Sequence, residues 1–172
     1  MIRVLLKEWV VAGGECPVPS VGDVITVGLG LDVDSVDRDD RDDVAGAPDG
    51  IESTASPLLS RRSADVAITG RVDVVRSAAS PFALVVSPAD GLHVLLLGES
   101  AHCGSEPRVT ARGTLVVEPH MWRSPGLIAD DERFALTTAR VRAVHPIGGQ
   151  TAGLGGISVD VLLDLEPVHA RR

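Results

Sequence analysis

The chain has very few aromatic side chains. They make up 2% of its 172 residues: Trp9, Trp122, Phe82 and Phe134, with no tyrosine. A core of stacked rings is therefore excluded, and nucleic-acid bases would find little to stack on. Lys7 is the only lysine. Cysteine occurs twice, at Cys16 and Cys103, too few for a disulfide framework. No apolar run approaches the roughly 18 residues that mark a membrane-spanning helix. Arg3 and Lys7 interrupt the first apolar run, and no long leader-like apolar core or small-residue cleavage site follows. These absences predict a cytoplasmic protein that does not associate with membranes.

What is present is aliphatic. Hydrophobic residues make up 44% of the chain, mostly Val, Leu and Ala. A core of β-branched and aliphatic side chains favours strands. Net charge is −8, and its location matters more than its size. Residues 32–52 hold nine acidic residues against two arginines, a local −7. The rest of the chain is nearly neutral. It lacks the basic footprint of a nucleic-acid-binding protein.

The pattern along the chain is one of short strands. Residues 2–11, "IRVLLKEWVV", read as an opening strand that Gly13-Gly14 ends. Pro17 and Pro19 hold the following connection extended. Val21-Gly22-Asp23 then turns the chain into a second strand over residues 24–31, whose two glycines predict a bend or bulge. Residues 33–62 are polar, acidic and rich in Ser, Pro and Gly, and read as a long mobile loop inserted in a single domain over residues 1–172. Strand signals resume at 65–76, with Val66, Ile68, Gly70, Val72 and Val74 on one face. Residues 82–86 and 92–97 flank "SPADG", a hairpin turn. Residues 108–118 place Val109, Ala111, Gly113, Leu115 and Val117 inward. The last pair covers 134–144 and 157–165, joined by the glycine-rich "PIGGQTAGLGG". In the final strand Val159, Val161, Leu163 and Leu165 oppose Ser158, Asp160, Asp164 and Glu166. Helical periodicity is lacking apart from one turn at 130–133. The expected fold class is all-β: a small antiparallel barrel or a sandwich with a long acidic loop.

The Gly70-bearing strand, the hairpin and then "VTARGTLVVEP" resemble an OB-fold barrel over residues 64–145. That family's helix between its third and fourth strands has no counterpart in "GESAHCGSEP". The stretch "EWVVAGGECPVPSVGDVITV" is similar to the start of a group of actinobacterial proteins without an assigned activity. The matching residues are Trp9, Cys16, Pro17, Val21, Gly22, Asp23 and Val24. The resemblance implies no chemistry.

Candidate sites are few. Cys16 lies between Glu15 and Pro17, which supply no base or positive charge to lower a thiol pKa. Cys16, His102, Cys103 and His120 are the available metal donors, but they lack the paired two-to-four-residue spacing of zinc sites. The acidic run misses the oxygen and glycine positions of a calcium-binding loop. Arg108, Arg112, Arg140 and Arg142 fall on outward positions of two strands and form an anion-binding strip if those strands pair. No catalytic residue, cofactor or metal is expected. The leading expectation is a non-catalytic β-barrel module acting through a protein partner or self-association. A small-molecule or anion-binding barrel using His93, His120 or His145 at its mouth is the alternative, ahead of single-stranded nucleic-acid binding.

Overall fold

The computed structural model describes residues 1–12, 17–38, 49–54, 63–75, 83–89, 92–97, 108–118, 136–147 and 160–168. They form β1 (Ile2–Leu6), α1 (Glu8–Ala12), β2 (Val24–Val27), β3 (Leu29–Arg38), β4 (Gly50–Ser53), β5 (Asp65–Val75), β6 (Ala83–Ala89), β7 (Leu92–Leu97), β8 (Arg108–Val117), β9 (Thr137–Ile147) and β10 (Asp160–Pro167). The strands hydrogen-bond in the order β2-β9-β10-β1-β8-β3-β7-β6-β5-β4, and β8 also pairs with β5.

That extra pairing closes a five-stranded barrel, β3-β7-β6-β5-β8, so the fold is an all-β barrel. Its pairs are antiparallel except β3 with β7, where Leu29 faces Val94 in parallel register. A purely antiparallel barrel is thus corrected at one seam. Strands β1, β10, β9 and β2 extend from β8 as an added sheet, and β1 runs parallel to β8 where Leu5 meets Val116. Leu31, Val33, Val66, Ile68, Val86, Val94, Leu96, Val109, Ala111 and Leu115 are buried in the core. The added sheet buries Val4, Leu6, Val27, Ala139, Val141, Leu163 and Leu165 in the same core. The period-two alternation read from the sequence places Val66, Ile68, Val109, Ala111, Leu115, Leu163 and Leu165 correctly.

Three expectations change. Residues 2–11 are not one strand: the chain leaves β1 at Lys7 and makes the short helix α1. Val10 is fully buried beneath it, and the Glu8 N–H donates to Asp160 Oδ1 at 2.8 Å. Residues 24–31 break at Gly28, so β2 lies at the sheet edge while β3 enters the barrel.

The acidic loop at 33–62 is also shorter than its charge pattern implies. Residues 33–38 belong to β3, where they pair with β8, and 50–53 form β4, which pairs with β5. Two ladders of backbone hydrogen bonds outweigh repulsion among the exposed carboxylates, which also find cations. Lys7 Nζ lies 3.2 Å from Asp32 Oδ2, and Arg112 Nε 3.2 Å from Asp37 Oδ2. A bulge at Asp34 lets β3 follow β8 around the bend. Opposite it, Gly113 meets β3 so closely that a Cβ would lie 2.1 Å from the Asp32 carbonyl oxygen. The remainder of that loop, residues 39–48 and 55–62, lies outside the described residues.

Candidate functional site

Polar groups converge where the barrel joins the added sheet. Arg3 on β1 faces Asp164 on β10 as a direct cross-strand pair, and both point away from the main core. Asp164 is flanked by Leu163 and Leu165 and is itself only 7% exposed. Such a carboxylate must be paired. Arg3 Nε donates to Oδ1 at 2.5 Å and Nη2 donates to Oδ2 at 2.8 Å. His145 on β9 lies diagonally across, with Nε2 3.1 Å from Oδ2. A bulge at Arg142 shifts the β9–β10 register beside this cluster, pairing Asp164 with Ala143 but Leu165 with Val141. Hydrogen bonds from Arg3 hold the Asp164 carboxyl below its ordinary range; burial opposes this and His145 reinforces it.

A cleft of about 320 Å³ opens beside the pair. Ile2, Ile51 and Val66 give it an apolar side; Ser53, Ser63 and Asp65 give it a polar rim. Its chemistry is limited. Both Asp164 oxygens are engaged, so the carboxylate is a poor proton carrier. The Arg3 charge is already neutralised, so an incoming anion would compete with Asp164 for it. The cluster is a structural clamp between β1, β10 and β9.

The sequence-predicted residues do not gather. The arginine strip requires β8 and β9 to pair, and β10 and β1 stand between them. Each arginine instead has a partner of its own. Arg108 Nη2 lies 2.8 Å from Asp49 Oδ1, and Arg112 pairs with Asp37. Arg142 Nε donates to Glu166 Oε2 at 2.6 Å, and Arg140 reaches the Gly22 carbonyl at 3.3 Å. The acidic segment supplies two of these counterions. His93 is half-buried on β7, whereas His145 lies on the added sheet and not at the barrel mouth. Cys16, His102, Cys103 and His120 lie outside the described residues. Among the described residues no three His, Cys, Asp or Glu side chains are grouped to hold a metal ion. Nor is any helix among them long and apolar enough to cross a membrane.

Sequence reading missed the Arg3–Asp164 pair because the partners are 161 residues apart. A signal was present: Arg3 in "IRVLLK" and Asp164 in "VLLDLE" each interrupt an apolar strand, and buried charges require partners.

A second surface feature lies at the far end of the added sheet. The turn before β2 is closed by the Asp23 N–H donating to the Ser20 carbonyl at 3.1 Å. Gly22 takes φ 99°, a conformation that favours glycine. It sits in a bulge: Val141 accepts from the Gly22 N–H and donates to the Asp23 carbonyl. Val18, Val21 and Val24 are 45%, 65% and 54% exposed here. Leu136 and Val168, at the nearby ends of β9 and β10, are also exposed. The chain matches no family model, no curated protein and no solved structure.

Proposed function

We propose that the chain is a non-catalytic β-barrel module of the cytoplasm that acts through contacts with protein. The observation carrying this reading is the exposure of Val18 and Val21 in the turn before β2, of Val24 at its start, and of Leu136 and Val168 at the adjoining ends of β9 and β10. Exposed apolar groups gathered on one surface mark interaction sites. Two further features support it. Among the described residues, aliphatic side chains make up the core that the barrel encloses. The clamp at the cleft spends its charges on itself, which favours protein contact over anion binding.

The OB-like resemblance belongs to the same proposal. Its support is the meander β5-β6-β7 with β8 crossing the first strand. The closing strand is β3, which precedes the other four in the chain rather than following them. The scarcity of aromatics argues against using such a barrel for single-stranded nucleic acid.

The test is light scattering after size exclusion together with affinity capture, using the full chain and a Val21→Glu/Val24→Glu variant. Self-association or protein capture that the variant abolishes supports the reading. A strict monomer that captures no protein overturns it.

A further inference from the structure

We infer that β2 pairs with β2 of a second copy of the chain, antiparallel and across a two-fold axis at Ile25. This rests on the protein-contact reading above and names the partner. The argument starts from the backbone. Among the described residues β2 pairs only with β9, leaving its other side as a sheet edge. Val141 exchanges both backbone bonds with the Gly22–Asp23 bulge, while the Thr138 carbonyl accepts from Val168 on the β10 side. Backbone groups alternate sides along a strand. Residues 141, 139 and 137 therefore face β2, and Ile25 and Val27 face back to them. The N–H and C=O groups of Val24 and Thr26 point outward.

An antiparallel second copy meets these groups in one register. With Val24 opposite Thr26 of the second copy, four hydrogen bonds use every outward backbone group of both residues on both strands. A shift of two residues one way sets Thr26 against Gly22, whose N–H is already given to Val141. A shift the other way sets Val24 against Gly28, whose carbonyl already accepts from Glu118.

Charge agrees with this register. β2 reads VITV and carries no charge, whereas the opposite edge strand β4 carries Glu52. Edge strands that stay unpaired are commonly guarded by charge or proline. In the favoured register Arg140 and Glu166 of one copy share a row with Thr138 and Val168 of the other, so no like charges meet. A register with Val24 opposite Val24 would instead bring the two Arg140 side chains into one row. A second copy thus offers matching unmet groups at matching spacing without repulsion, and an unrelated peptide offers only the backbone.

The contact is short, so the dimer is concentration-dependent. Sedimentation and light scattering of the full chain from about 1 µM to about 1 mM should show mass rising from 17.9 kDa toward twice that value. Amide exchange at Val24 and Thr26 should slow about tenfold at the high end and recover on dilution. Thr26→Pro removes an outward N–H without breaking a bond to β9, and Val24→Lys sets a charge at the edge. Both should give a monomer with an unchanged circular dichroism spectrum. A wild-type chain that stays monomeric to about 1 mM overturns the inference. So does a dimer that survives both variants with unchanged Val24 and Thr26 exchange, though that result leaves the protein-contact reading standing. A monomer that captures a different protein separates the two in the same way, and one that captures nothing removes both.

Discussion

Replacing Asp164 with asparagine tests the clamp directly. The substitution keeps the shape and one acceptor oxygen but removes the charge and sets an amide NH₂ against the Arg3 guanidinium. Hydrogen bonds to charged groups contribute about 1.5–3 kcal/mol, and breaking a fully buried ion pair costs about 3–5 kcal/mol. The Arg3 side chain is 25% exposed, so water recovers part of the lost interaction. The expected loss is therefore about 2–3 kcal/mol. In a chain of this size that lowers Tm by about 4–12 °C. His145→Gln should cost under about 1 kcal/mol, because that side chain is 44% exposed. Urea unfolding monitored by circular dichroism measures both.

The pH dependence carries a definite sign. The folded-state pKa of Asp164 lies below its ordinary value of about 3.8, so the unfolded chain takes up the proton first. The stabilisation is complete above that ordinary value and is lost as pH falls through the folded-state value. Wild type should lose its advantage over Asp164→Asn only in that acid window, and the two curves should converge below it. A loss under about 0.5 kcal/mol at pH 7, or a His145→Gln loss equal to that of Asp164→Asn, would refute the reasoning.

Other outcomes follow from single contacts. Gly113→Ala sets a Cβ 2.1 Å from the Asp32 carbonyl oxygen, and only movement of the β3 backbone relieves the clash. We expect a loss at or beyond the roughly 1–3 kcal/mol of overpacking, read as a large fall in Tm or failure to fold. Gly22→Ala meets no neighbour within 4 Å, so its cost is conformational, about 1–2 kcal/mol by urea unfolding, with Gly22→Asn less harmful. Arg112→Gln breaks an ion pair whose side chains are 50% and 64% exposed and should change stability by under about 1 kcal/mol, an effect that high salt erases.

The barrel strands were legible where one face is apolar and the other polar. β5, β7 and β8 begin and end within a residue of their sequence-read limits because local alternation and burial agree. β3 was legible only in its first third. Its acidic half looks like solvated loop until its pairing with β8 and the cations of Lys7 and Arg112 are known, and those lie far away in sequence. "KEWVV" carries too few residues for period to separate helix from strand, and the contact that favours helix comes from Asp160. Asp164 has the spacing of an outward residue, but the face it occupies lies at the seam where barrel and added sheet meet, beside Arg3.

The pairing of β1 with β10 has a consequence for how the chain reaches this state. Ile2 waits for Leu165, and Leu5 waits for Val116. On a ribosome adding about 5–20 residues per second, β1 stays without its main partner while the chain grows across the 161 positions from Arg3 to Asp164, about 8–32 s. Pairings so distant in sequence also slow refolding toward the millisecond-to-second range. During that interval β1 is an unprotected edge, and the charges at Arg3 and Lys7 then serve as its guards against wrong pairing before either has found its carboxylate.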